Sequence, residues 1–265
     1  ATTTTESLVS VSITTIMSAA EGVPAWIRLC SNTAPLAAIV VFTAPYPTIQ
    51  QIQRDKTVGN LPLLPYSSMI CNCALWLSYG ILIKQQKVWL TNFVGLLFGI
   101  YYFLRFSKYA PPKSSTLPGS IRQHLQVVFG VVGITVGWVS LCYMTVQRKN
   151  KWSSYAAETI GNVAVLFCLL MFASPLSALR SVIATRSAAS IPLPFTLATI
   201  LNCFLWSVAG LGEFNDFNIY FPNLLGLGFG LIQVALKIVF GNGGGPDGLH
   251  SSVRTKDEAQ MELVM

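Results

Sequence analysis

Asn72-Cys73-Ala74-Leu75-Trp76-Leu77-Ser78-Tyr79-Gly80 returns 130 residues later as Asn202-Cys203-Phe204-Leu205-Trp206-Ser207-Val208-Ala209-Gly210. Read outward from this nonapeptide, the match runs without a gap over 36–80 against 166–210. Leu36, Phe42, Pro45, Pro62, Leu63 and Ile70 meet Leu166, Phe172, Pro175, Pro192, Leu193 and Ile200. Self-similarity at a fixed period makes the chain a duplicated unit and decides the fold before any local assignment. The paired positions are mostly prolines, asparagines and tryptophans inside oily segments. Such residues are costly there, and the same cost at matched places in both copies points to one shared site on a pseudo-two-fold axis.

The composition places those copies in a membrane. Of 265 residues, 52% are apolar and 10% charged, and the mean hydropathy is +0.57; a soluble globular chain carries roughly 25% charged residues. Apolar stretches of about 20 residues span a hydrocarbon core of roughly 30 Å, and seven are predicted, over 35–52, 62–83, 89–106, 125–145, 159–179, 192–211 and 217–240. The net charge of +7 does not indicate a nucleic-acid partner, because the basic residues lie in short loops between spans. Arg54, Lys56, Arg105, Lys108, Lys113, Arg122, Arg180, Arg186, Lys237, Arg254 and Lys256 fall on one side, against Arg28, Lys84, Lys87, Arg148, Lys149 and Lys151 on the other. The positive-inside rule then sets the C-terminus in the cytosol and the N-terminus outside or in a lumen. The plasma membrane is the expected residence, with an endomembrane as the alternative. Cysteines 71, 73, 142, 168 and 203 sit within predicted spans and Cys30 just before the first. They read as small packing residues rather than as a disulfide framework or a metal site.

The expected organisation is an outer N-terminal tail (1–33), a first three-helix repeat (34–110), a linker transmembrane helix (121–147), a second three-helix repeat (154–240) and a disordered cytosolic tail (241–265). The apolar run 8–17 is too short to span comfortably and belongs to the outer tail; 111–115 reads as a linker; the Gly-rich start of the last segment cannot bury enough apolar surface to fold alone. The fold class is therefore all-α integral membrane, with seven transmembrane helices arranged as two repeats joined by a linker helix (3+1+3). A single span between triplets restores the same membrane orientation to the second copy, so the repeats are parallel.

Each copy holds a proline deep in its first span, Pro45 and Pro175. A mid-helix proline removes a backbone hydrogen bond and frees the carbonyl four residues earlier, those of Val41 and Met171, giving a kink that serves as a hinge. In the second spans Asn72 and Trp76, and likewise Asn202 and Trp206, are four apart and share a helix face. Asn92 and Asn223 sit near the start of the third spans, the second copy displaced by one residue. An amide offers donors and an acceptor, and an indole a flat apolar face. Two of each, brought together by a pseudo-two-fold, describe a pocket for a neutral polyhydroxylated ring. The spans carry no Asp, Glu, Lys, Arg or His away from their ends, whereas proton relays and ion coupling need ionisable groups in the bundle. A neutral solute moving down its own gradient fits. The chain has no phosphate loop, HExxH or Ser-His-Asp set, so neither an enzyme nor a cofactor is expected; His124 and His250 read as surface residues at a span end and in the tail.

At Thr43-Ala44-Pro45, Leu64-Pro65-Tyr66, 72–80, 173–177 and Phe221-Pro222-Asn223 the chain resembles the SWEET sugar transporters, the eukaryotic seven-helix members of the PQ-loop group. The likeness covers 36–240. It implies a proline tetrad at Pro45, Pro65, Pro175 and Pro192 that lets the first helices bend during alternating access; the internal repeat selects Pro62 in place of Pro65, and the choice stays open. It implies Asn92 and Asn223 as sugar-binding amides, Trp76 and Trp206 as sandwiching aromatics, and Tyr79 with Asp216 as an outer gate. Val41, Asn72, Met171 and Asn202 line the same pocket in the family and are bulkier than the Ser and Val set resembling sucrose carriers, which favours hexoses. The long N-terminal tail departs from the family. Tyr46 and Leu176 follow the prolines where a strict PQ-loop protein has Gln, which argues against the lysosomal amino-acid branch. The expectation is facilitative uniport of a neutral sugar, with membrane lipid as the other partner and a homo-oligomer left open. The rivals are a PQ-loop carrier of amino acids or another small solute, which wants a charged pocket, and a seven-helix receptor, which binds without flux.

Overall fold

The structure, a computed structural model, describes residues 22–110, 120–146 and 151–241; the run 8–17, the linker 111–115 and His250 lie outside them. Among the described residues nine α-helices follow in order: α1 (Ala25–Thr43), α2 (Tyr46–Asp55), α3 (Leu64–Leu82), α4 (Gln86–Tyr109), α5 (Ile121–Val146), α6 (Trp152–Met171), α7 (Ala173–Thr185), α8 (Leu193–Ala209) and α9 (Phe217–Phe240), with a π-helical turn at Gly210–Phe214 continuing α8. Among the described residues every regular element is helical. α1 with α2 is a single span broken at Pro45, and α6 with α7 a single span broken at Phe172, so the spans among the described residues number seven.

Among the described residues six segments are long and apolar enough to cross a membrane, from Ala25–Asp55 to Phe217–Phe240. The seventh, α3, carries Ser67, Ser68, Asn72 and Ser78, and it lies in the middle of the bundle with Tyr66, Ile70, Leu75, Trp76 and Tyr79 buried. A helix wrapped by protein satisfies its polar side chains internally, which a lipid-exposed one cannot do. The chain is a multi-pass membrane protein.

The packing exchanges partners between the copies. α1 lies against α8 and α6 against α3; α4 packs on α3 and α1, and α9 on α8 and α6; α5 leans on α3 and α6. One apolar cluster, with Ala34, Leu75, Trp76 and Tyr79 from the first copy and Ala164, Leu205, Trp206 and Ile219 from the second, welds the two copies at the Tyr79 end. At the proline end the clusters are separate. Ile49, Ile52, Tyr66, Tyr102 and Phe106 form one within the first copy, and Val182, Ala188 and Ile191 a smaller one within the second.

Local chemistry repeats as well. α2 and α7 stop at left-handed residues, Lys56 (φ 55°) and Arg186 (φ 49°), whose cationic side chains complement the negative helix ends. The turn from α3 to α4 closes with Gln85 N–H donating to Gly80 O at 2.9 Å, and that from α8 to α9 with Asp216 N–H donating to Gly210 O at 2.9 Å. Both glycines are required by close approach: a Cβ on Gly80 would meet Trp89 N at 2.6 Å, and one on Gly210 would meet Tyr220 N at 2.8 Å. The one-residue displacement of Asn223 relative to Asn92 originates here, since a π-helical turn accommodates one extra residue and lies between the matched segments of the second copy.

Three expectations need correction. The first helix begins at Ala25, inside the segment assigned to the tail 1–33 and ahead of the repeat boundary at 34, because Pro35 sits within α1 and Pro24 stands before its first residue. The second break falls at Phe172, ahead of Pro175, which lies inside α7; the proline has no N–H to donate to the carbonyl one turn earlier, so the chain bends in the turn before it. His124 is buried, at 7% exposure, because its ring Nδ1 lies 2.9 Å from Ser67 Oγ where α5 crosses α3.

Candidate functional site

Between the copies lies a cavity of about 230 Å³. Val41, Asn72, Trp76, Asn92, Met171, Asn202, Trp206 and Asn223, all eight residues assigned to the pocket from sequence, line it. The helical spacing explains why: Asn72 and Trp76 occupy one face of α3, Asn202 and Trp206 the same face of α8, and the exchange of partners between copies turns those faces toward each other. Trp76 and Trp206 are 8% and 7% exposed, so neither indole faces lipid.

The third-helix amides are held alike. Asn92 Nδ2 donates to Val88 O at 2.9 Å and Asn223 Nδ2 to Ile219 O at 2.7 Å, each one turn back along its own helix. One N–H of each amide is thereby committed, leaving its carbonyl oxygen and second N–H for a guest. Among the described residues lining the cavity none is charged.

The Tyr79 end is closed by polar contacts across the copies. Tyr79 donates its hydroxyl to Asp216 Oδ2 at 2.7 Å, with Oδ1 at 2.9 Å. Asn218 Nδ2 donates to the same phenol oxygen at 3.3 Å. Asp216 Oδ1 also caps α9 by accepting from Asn218 N at 2.9 Å. Below it, Trp76 packs edge-on against Tyr79 with ring centroids 5.6 Å apart. Beside it, Lys87 Nζ pairs with Glu213 Oε1 at 2.8 Å and donates to Ser31 Oγ at 2.9 Å.

The prolines expected to form a tetrad occupy helix breaks and starts. Pro45 precedes α2, Pro65 is buried in the first turn of α3, Pro175 lies in α7 and Pro192 precedes α8. Pro62 stands outside α3, half-buried.

Sequence reasoning missed Cys168, read as packing but lining the cavity, along with Ala38, Phe42, Thr91, Phe172 and Cys203. Phe42 with Phe172 was visible as a repeated pair. Ala38 and Cys168 occupy matched positions that differ, so a search for identities passes over them. The Lys87–Glu213 pair was missed because Glu213 lies in the extra turn that only the second copy has.

The profile of the family described as "Sugar efflux transporter for intercellular exchange" matches residues 28–114 and again 158–243, one match per copy. The chain belongs to the SWEET family of sugar transporters. Its relatives include the bidirectional sugar transporter SWEET11 of Arabidopsis thaliana, 30% identical over 81% of this chain and 71% of that one. SWEET2a of Oryza sativa subsp. indica is 32% identical over 80% and 84%. The sugar transporter SWEET1 of Dictyostelium discoideum is 28% identical over 82% and 93%. A eukaryotic SWEET transporter solved at 3.7 Å superposes with a TM-score of 0.67 at 27% identity, covering 81% of this chain and 96% of that one. SWEET membership makes this a transporter family member rather than an enzyme, on the 3+1+3 fold.

Proposed function

We propose that the chain is a facilitative uniporter of neutral sugars, hexose in preference to sucrose, working by alternating access. The observation that carries this reading is the cavity itself: each copy contributes an indole and two amides to one uncharged chamber on the pseudo-two-fold. Indoles cover the C–H faces of a pyranose ring while amides exchange hydrogen bonds with its hydroxyls. A volume of about 230 Å³ falls below the roughly 300–1,000 Å³ of drug-sized sites, which favours a single ring. The bulk of Val41, Asn72, Met171 and Asn202 acts in the same direction.

Asn92 and Asn223, each steadied by its own helix, bind the sugar between Trp76 and Trp206. The welded Tyr79 end and the separate clusters at the proline end fit a state with the cavity reached from the proline end. Breaking Tyr79–Asp216 opens the opposite end, while bending at Pro45 and Pro175, with Pro65 or Pro62 and Pro192 at the helix starts, closes the first. The absence of a charge among the lining residues supports passive flux and disfavours an amino-acid carrier. The distribution of basic residues supports a cytosolic C-terminus, the plasma membrane is the favoured residence, and the assembly state stays open.

The test is uptake of radiolabelled glucose and sucrose into proteoliposomes. Glucose is expected to equilibrate and not to accumulate under an imposed pH gradient, with sucrose slower; Asn92→Ala and Asn223→Ala each lower uptake at least tenfold. Undiminished uptake in both variants removes the assigned pocket, and proton-driven accumulation removes uniport.

A further inference from the structure

The duplicated cavity is not chemically symmetric, and one residue breaks it. Trp76 Nε1 donates to Cys168 Sγ at 3.4 Å, and Cys168 Sγ donates to Asn72 Oδ1 at 3.3 Å. The thiol sits between indole and amide as a relay, accepting from one and donating to the other, within the weak but real capacity of sulfur for both roles. The matched residue of the second relationship is Ala38, which also lines the cavity and whose methyl can do neither. The partners left without a relay are Trp206 and Asn202. Asn202 Oδ1 is buried and has no hydrogen-bond partner among the described residues, and no described residue accepts from Trp206 Nε1. A buried acceptor without a donor is costly until something supplies one.

We infer that Cys168 is a specificity-determining residue that polarises recognition: it engages the indole N–H of Trp76 and the amide oxygen of Asn72, so that the unengaged amide oxygen and indole N–H facing the bound solute are those of Asn202 and Trp206. The inference rests on the transport reading above and adds to it a direction. The ring enters with its hydroxyl-rich edge toward α8, and the α3 side supplies an aromatic face whose indole N–H and amide oxygen are already engaged. Positional matching alone would have made Asn72 and Asn202 equivalent.

Two measurements test this. In proteoliposomes, Asn202→Ala is expected to raise the glucose half-saturation concentration roughly tenfold or more, the usual consequence of losing one buried hydrogen bond, and Asn72→Ala about threefold at most. Cys168→Ala releases Asn72, so Asn72→Ala in that background becomes as damaging as Asn202→Ala; Cys168→Ser, which keeps donor and acceptor, preserves the inequality. Ala38→Cys installs the missing relay and reduces the effect of Asn202→Ala. Equal effects of Asn72→Ala and Asn202→Ala in the unaltered chain, or an Asn72 effect that does not depend on Cys168, overturn the inference. The second measurement needs no flux: the rate of Cys168 modification by methyl methanethiosulfonate, read by peptide mass spectrometry on the purified protein. It should rise severalfold in Asn72→Leu and stay level in Asn202→Leu; a rate that ignores Asn72 removes the relay. Vesicles that move no sugar overturn the transport reading, while the modification rates still decide the relay.

Discussion

Asp216 accepts the Tyr79 hydroxyl at 2.7 Å and, through its other carboxylate oxygen, caps α9 at the backbone N–H of Asn218. One side chain thus ends a helix of the second copy and fastens it to a helix of the first. A hydrogen bond to a charged group contributes about 1.5–3 kcal/mol, so Tyr79→Phe is expected to shift the balance toward an open Tyr79 end by roughly 10- to 100-fold. Spin labels at Ile81 and Leu211, both exposed at that end, on a chain with its six cysteines replaced, should report a longer distance population. An unchanged distribution rules out the clasp. Asp216→Asn keeps an acceptor for the cap and should open the end less.

The glycines of the two tight turns give a stability prediction with a built-in control. Gly80→Ala and Gly210→Ala each drive a methyl into backbone, at Trp89 and Tyr220, where nothing can rotate away. Overpacking of this kind costs about 1–3 kcal/mol or more, so both variants should melt lower in detergent. Gly130→Ala and Gly133→Ala on α5 meet nothing within 4 Å. Helical Gly→Ala there should stabilise by roughly 0.5–1 kcal/mol. Equal melting of the two pairs would contradict the close approach of the helices.

The difference between those pairs also shows what was legible in the sequence. The duplication could be read because Pro45, Asn72, Trp76 and Gly80 return in register, and residues that are costly in a membrane carry strong signals. The pairing of the four-apart Asn and Trp on one face followed from helical geometry, and the cavity contains all eight of its expected residues. What stayed hidden depends on contacts between elements. The burial of His124 follows from the crossing of α5 over α3, where Ser67 receives it. The relay through Cys168 exists only because α6 passes α3 at that depth. The first span was read as starting at Pro35, whereas α1 begins ten residues earlier and carries this proline inside it. Sequence period gives faces; packing decides which of them meet.

Lys87 and Glu213 are expected to reinforce the same end. Their side chains are only 28% and 25% exposed, and Lys87 also donates to Ser31, which is fully buried, and lies 5.7 Å from the Phe214 ring centroid. An exposed pair contributes about 0–1 kcal/mol; this one has a second acceptor and an aromatic face that suit only a cation at 87. Lys87→Met should therefore lower the melting temperature more than Glu213→Gln, and exchanging the charges in Lys87→Glu with Glu213→Lys should not restore it. Full recovery by the exchanged pair would mean that Coulomb attraction alone accounts for the contact.

The two breaks in the first spans are secured differently, which predicts unequal hinges. At the first, Val41 O is taken by Ala44 N at 3.2 Å, and Phe42 O accepts from the buried Tyr102 hydroxyl at 3.0 Å. At the second, Phe172 O accepts from Leu176 N at 3.1 Å within the helix, and Gln233, which stands in α9 where Tyr102 stands in α4, instead meets Thr196 Oγ1 at 3.5 Å. Among the described residues, the first bend is thus braced from a neighbouring helix, through Tyr102 on Phe42 O, and Phe172 O has no such brace. Tyr102→Phe removes the brace and leaves a carbonyl unpaired in a buried cluster, at a cost of about 1–3 kcal/mol; for a chain of this size each kcal/mol is roughly 2–4 °C in melting temperature. Gln233→Leu should melt within about a degree of the unaltered chain, since Thr196 retains Pro192 O at 3.3 Å and surface-like losses stay small. Thermal melts of the two variants decide the matter, and equal shifts would show that both hinges are braced alike.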